Sequence, residues 1–93
     1  MTTDITNTLT ERGSRYGKFK DHATISYALK QAMVNHIPGH KWEALEADQK
    51  EALDMICHKI ARILNGDPNY ADSWVDIAGY AKLVADRLEG VER

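Results

Sequence analysis

Two segments, DQKEALDMICHKIARILN (48–65) and DSWVDIAGYAKLVADRLE (72–89), joined by GDPNYA (66–71), decide the fold of this chain. In the first, Leu53, Ile56, Cys57, Ile60 and Leu64 recur at steps of three and four. In the second, Trp74, Ile77, Ala78, Ala81, Val84, Ala85 and Leu88 do the same. That period is the mark of an amphipathic helix with a wide apolar stripe. A connector of about six residues keeps two such helices together, so the segments are expected to fold back as an antiparallel hairpin. The punctuation agrees. Asp48 with Glu51 three places on reads as a capping box, Gly66 suits the turn after a helix end, and Pro68 does not extend the helix before it. The second helix is expected to start from a cap at Asn69 or Asp67 and to stop at Gly90.

Working outward, Asp21 to His36 reads as a further helix, with Ile25, Ala28, Leu29, Ala32 and Met33 as the stripe that packs on the hairpin. It ends before Pro38, because a residue preceding proline is pushed out of the helical region. Trp42 to Leu45 is expected to lay an indole and a leucine against the core as a turn or short helix. At the start, a Thr-rich segment with only Ile5 and Leu9 to bury predicts a frayed or short helix ending near Gly13. No segment shows the alternation of a strand, and nothing repeats. The expectation is one all-α domain over residues 1–93, a compact bundle of three to five helices with a C-terminal antiparallel helical hairpin. Its parts are an N-terminal segment and basic loop (1–20), a helix (21–36), and the hairpin (48–65 and 72–89).

Composition narrows the function classes. Ninety-three residues, 43% of them apolar, supply one small core, and self-association would add stability. The single Cys57 lies on an apolar stripe without a partner, which excludes a disulfide framework within the chain and fits a reducing, intracellular setting. With no long apolar run and no basic-then-apolar start, the expected location is the cytoplasm, with no membrane partner. The formal charge is −2. Its distribution is uneven: residues 1–41 carry a net +3 and residues 42–93 a net −5. Nucleic-acid binding is disfavoured by that negative total and by the shortage of basic groups. The asymmetry instead suits a divalent cation at the acidic half and a phosphate at the basic half, or simply the charges that helix surfaces need.

Two stretches carry candidate chemistry. Thr10 to Phe19 holds two glycines, three basic groups (Arg12, Arg15 and Lys18) and two aromatics, a composition suited to a loop touching a phosphate or stacking on a base. It lacks the glycine spacing of a P-loop. On the hairpin, Asp54 is followed by His58 and Arg62 at steps of four, and Asp72 by Asp76. If those flanks face one another, Glu51, Asp54, Asp72 and Asp76 converge, the kind of set that holds Mg²⁺ or Mn²⁺ in helical bundles. The competing reading makes Glu51 and Asp72 caps, and Asp54 and Asp76 partners of His58, Lys59, Arg62 or Tyr80. His36 and His40 are split by Pro38 and Gly39, and His22 and His58 read as surface or boundary residues. Nucleophilic catalysis has no support, since no serine sits in an elbow pattern and Cys57 is expected to be buried.

The blocks Glu11 to Gly17, Leu53 to Ile56, Lys59 to Ile63 and Asp72 to Tyr80 resemble a family of small phage and prophage proteins of unassigned function. More distantly, the hairpin resembles the all-α MazG-like nucleoside-triphosphate pyrophosphohydrolases. That second resemblance implies Mg²⁺ held by Glu51 and Asp54 on one helix and by Asp76 on the next. Ser73 stands where a further acid is expected, with Asp72 beside it. It also implies nucleotide contacts, for which Arg15 and Lys18 are the candidates, with Lys59 or Arg62 joining them and Tyr16 or Trp74 stacking on the base. Homo-oligomers are implied as well. Two function classes follow: a nucleotide-binding protein, active as an Mg²⁺-dependent pyrophosphohydrolase or an inactive relative, and a non-enzymatic phage anti-defence protein that docks on a host complex or sequesters a signalling nucleotide.

Overall fold

A computed structural model describes residues 2–93, with side chains from residue 4 onward. Four α-helices follow in order: α1 (Thr2–Tyr16), α2 (Phe19–Asn35), α3 (Ala47–Asn65) and α4 (Ala71–Leu88). A single 3₁₀ turn at Pro38–His40 separates α2 from α3, and no strand occurs among the described residues. The fold is a small all-α bundle with the expected α3–α4 hairpin. α3 is the central rod: α2 packs on one flank and α4 on the other, while α1 leans on α2 and α3 near their α1-proximal ends.

Each helix begins and ends for a local reason. At the start of α3 the capping box is two residues earlier than expected: Gln49 Oε1 accepts from the Glu46 backbone N–H at 2.8 Å. Asp48 is thereby released to take Arg87 of α4 in a two-pronged ion pair at 2.6 and 2.7 Å. α4 starts after Tyr70 without a side-chain cap, because Asp67 folds the connector instead, accepting from the Asn69 N–H at 2.9 Å. Its end is as expected, with Gly90 at φ +92° beyond Leu88. Trp42 to Leu45 is a turn, closed by the Leu45 N–H on the Trp42 carbonyl at 3.1 Å.

The N-terminal region departs from expectation. α1 continues through Gly13 to Tyr16, so the supposed loop from Thr10 to Phe19 shrinks to Gly17 and Lys18. Hydroxyls of Thr8 and Thr10 bond back to carbonyls four residues earlier, and Arg15 reaches Glu11 at 2.9 Å, so this polar helix satisfies itself from within.

The α1–α2 turn is clamped to the end of α3. Asn65 Nδ2 donates to the carbonyls of Tyr16 and Lys18, both at 2.9 Å, and the Asp67 N–H donates to the Arg15 carbonyl at 2.7 Å. Two glycines make the approach possible. Gly17 sits at φ +78°, and a Cβ on Gly66 would lie 2.2 Å from the Arg15 carbonyl oxygen.

Candidate functional site

The clamp decides where the basic residues of α1 fall. With the Tyr16 and Lys18 carbonyls pinned to Asn65, the last turn of α1 lies over the C-terminal half of α3. A groove of about 410 Å³ opens between α1, α2 and α3, with Arg12, Lys18 and Arg62 on its walls and His22 and His58 along its floor. A second hollow continues from the same two histidines and Phe19 towards Lys30 and Tyr27. No carboxylate lines either one.

The histidines are the buried centre. His22 is 5% exposed, and its Nε2 meets Nδ1 of His58 at 3.2 Å, the rings edge to face with centroids 4.5 Å apart. Nδ1 of His22 is buried without a partner. An orphaned lone pair costs less than an orphaned N–H, so the network assigns the proton to His22 Nε2, which donates to His58 Nδ1. His58 then carries its own proton on Nε2, as a donor. Burial, its neighbour His22, and the cations Arg62, Lys59 and Lys30 push the pKa of His58 down to about 4. Burial first, then Arg62, Lys30 and Lys59, lowers His22 as well. Both rings are therefore neutral at pH 7.

Aromatic faces hold the arginines. Arg62 lies 4.2 Å over the Tyr16 ring and Arg15 lies 4.4 Å over Tyr70, with the two tyrosines edge to face at 6.1 Å. Arg15, anchored by Glu11, lines a neighbouring polar hollow with Arg12, Tyr16, Arg62 and Tyr70. Phe19, 78% exposed, stands at the mouth of the groove.

Of the residues expected at a phosphate site, the structure brings Tyr16, Lys18 and Arg62 to one groove and places Arg15 beside it. Lys59 goes elsewhere: its stem is buried and its ammonium meets Asp76 at 3.0 Å between α3 and α4. Trp74 is also remote, its Nε1 donating to the Pro68 carbonyl at 2.8 Å. Lys30 and the two histidines join the site unannounced, and Arg12 and Phe19 come to it from the basic, aromatic stretch. His22, expected at a surface or boundary, is buried, while His58 is half-buried as a boundary residue and packs on it. A step-of-four relation between His58 and Arg62 was visible, but nothing local pairs His58 with a residue 36 positions away.

The four acids expected to converge do not do so within one chain. Asp76 is the ion-pair partner of Lys59, Asp72 stands beside the Tyr70 phenol, and Glu51 lines a hollow with Asp48 and Arg87. Asp54, half-buried on α3, lies near Cys57, whose thiol is pushed up first by burial and then by that carboxylate. Among the described residues no three His, Cys, Asp or Glu gather as a metal ion would need. The donor set of a single chain does not fit Mg²⁺ or Mn²⁺.

Fold and site together define a small all-α domain with a cationic, histidine-floored groove. The domain family described as Domain of unknown function (DUF6378) matches residues 3–88, and the chain belongs to it. No curated protein and no solved structure matches the chain. Among the described residues, no helix is long and apolar enough to cross a membrane.

Proposed function

We propose that this protein binds a phosphorylated small molecule, a nucleotide in the first instance, in the groove between α1, α2 and α3. The observation that carries this reading is a groove whose walls present Arg12, Lys18 and Arg62 with no carboxylate among its lining residues. Like charges held together repel, and a phosphate group relieves that cost while accepting charge-assisted hydrogen bonds from the guanidinium groups. His58 Nε2 adds a neutral donor. Exposed Phe19 offers a flat apolar surface for a base at the groove mouth.

The resemblance of the hairpin to MazG-like pyrophosphohydrolases makes nucleoside triphosphates the first ligands to test. Binding is the activity proposed here, because the acids of one chain do not assemble a metal site. Titrating nucleoside mono-, di- and triphosphates by calorimetry, with and without Mg²⁺, tests it. Saturable binding that Arg62→Ala weakens at least tenfold is expected, and a ligand in excess raises Tm by mass action. If no nucleotide and no inorganic pyrophosphate binds, the reading fails. Release of pyrophosphate in the same assay would extend it to hydrolysis.

A further inference from the structure

The ion pairs fix which sides of the helices meet, and so reveal what is left uncovered. On α3, His58 and Cys57 face α2, through His22 and Met33, while Asp48 and Lys59 face α4, through Arg87 and Asp76. At about 100° per residue, two directions of α3 remain. One holds Glu51, Met55 and Arg62, on the groove side. The other holds Leu53, Ile60 and Leu64, and no charge.

That second side continues onto the neighbouring helices. Asp76 and Arg87 occupy the groove-side edge of the α4 contact, so the opposite edge carries Trp74, Ala78, Ala81, Ala85 and Leu88, at steps of four and three. All five are exposed. On α2, the groove takes Phe19, Ala23 and Lys30, leaving Ile25, Ala28 and Ala32 on the far side. α2 and α4 do not pack on each other, so among the described residues no helix closes over α3 between them. One face of the α2–α3–α4 layer is thus mainly apolar across three helices, with Asp21 of α2 as a charge on its margin, and the other bears the cationic groove.

We propose that a second copy of this chain covers that apolar face, making the protein a homodimer with a groove on each outer side. Area argues for the second copy. The accessible surface is 6759 Å². A folded monomer of 10.5 kDa exposes about 5,400 Å², so about 1,300 Å² per chain is in excess. Two chains burying that much would share about 2,600 Å², the size of an obligate homodimer interface. The radius of gyration, 15.5 Å, exceeds the roughly 12 Å of a self-contained domain of this length.

The core is short by the same measure. Among the described residues its buried apolar members are Ala52, Cys57 and Ala61, and no large side chain is fully buried. A mainly apolar face calls for an apolar partner, and a face of that kind is present on every other copy of the chain. Small Ala78, Ala81 and Ala85 between Trp74 and Leu88 let the α4 helices of two copies approach closely, large ends against small middles.

Sedimentation equilibrium over a wide concentration range tests this on the whole chain. The wild type is expected at twice the 10.5 kDa chain mass, with a Tm that rises with concentration. Ala81→Glu and Leu64→Glu, exposed in one chain but central to the proposed contact, are expected to weaken dimerisation at least a hundredfold. Val75→Glu puts the same charge on the other side of α4 and is expected to leave it within threefold. A reading needing no substitution is Trp emission, which shifts to the blue on self-association as Trp74 is covered. A wild type that stays at the single-chain mass, with no concentration-dependent emission shift, overturns the proposal. So does Val75→Glu dissociating the dimer as fully as Ala81→Glu. Nucleotide binding can fail while dimerisation holds, since the two rest on opposite faces.

Discussion

The two ends of α3 treat charge in opposite ways. Towards its N-terminus Asp48 closes on Arg87, and along α4 charges close on one another as well, Asp76 on Lys59 and Asp86 on both Lys82 and Arg93. Towards its C-terminus, where α1 and α2 turn over it, Arg12, Lys18, Lys30 and Arg62 stand around two neutral histidines and none forms an ion pair among the described residues. Both regions have cations on helices, so helix solvation does not explain the difference. Paired charges in the hairpin set register between α3 and α4. The unpaired ones gather where the Asn65 clamp seats the α1–α2 turn on α3, with Arg62 held only by the face of Tyr16, and the proposed binding rests on that gathering.

The comparison is most sharply broken at the clamp itself. Gly66→Ala would set a Cβ against the Arg15 carbonyl and Tyr16 Cα, both backbone atoms with no freedom to yield. Separating α1 from α3 is expected to cost about 3 kcal/mol. Chemical denaturation should show it, together with a loss of ligand affinity that the intact hairpin does not rescue. A Gly66→Ala protein as stable as wild type would mean that the α1–α2 turn does not lean on α3 at all.

The second test compares one cation from each end. Arg62→Ala removes a groove guanidinium stacked on Tyr16 and is expected to weaken nucleotide binding at least tenfold, with a small change in Tm. Lys82→Ala deletes an exposed partner of Asp86 in the hairpin and is expected to leave affinity within twofold. Equal effects in calorimetry would erase the distinction drawn between the two ends.

Much of the hairpin was legible because it depends on near neighbours. The period of Leu53, Ile56, Ile60 and Leu64, the turn chemistry of Asp67 and Pro68, and the stop at Gly90 are all local signals, and the helices lie within a residue or two of where they point. The site was half legible. Tyr16, Lys18 and Arg62 drew attention as a basic, aromatic composition, yet α1 was cut short because Gly13 reads as a breaker; in the structure it is a helical residue with open space around it. The acids misled for a physical reason. Periodicity places Asp54 and Asp76 on helix flanks but not which flank meets which, and Lys59 intervenes with an ion pair that only the register between α3 and α4 creates. His22 and His58 were invisible as a pair because their meeting needs α2 seated on α3.

A third test uses pH. In the folded chain His58 titrates near 4, against 6.5 for the unconstrained ring. The unfolded chain therefore binds more protons between these values, and stability present above pH 6.5 is lost as the pH falls towards 4. Tm is expected to decline over that window, and His58→Gln to flatten the decline. The groups around the ring are Arg62 and Lys59 on α3 and Lys30 on α2. A bound phosphate offsets these charges and favours the protonated ring, so affinity is expected to rise as pH drops from 7 to 5. Calorimetry in buffers of different ionisation heat reads the linked proton uptake. The hairpin offers no counterpart, since its carboxylates Asp48 and Asp86 are held below the usual range by Arg87 and by Arg93 with Lys82, and titrate lower still.

The smallest effect contrasts two glycines. Gly66 is required by close backbone approach, whereas Gly79 lies within α4 with nothing within 4 Å of where a Cβ would be. Its helical conformation needs no glycine, so it only adds entropy to the unfolded chain. Gly79→Ala is expected to stabilise the protein by about 0.5–1 kcal/mol, seen as a modest rise in Tm, with nucleotide affinity unchanged. The position also lies on the same side of α4 as Val75, away from the apolar face. Should Gly79→Ala instead destabilise the chain, some surface must press against α4 there, and the open side of the hairpin would be a second interface with its own partner.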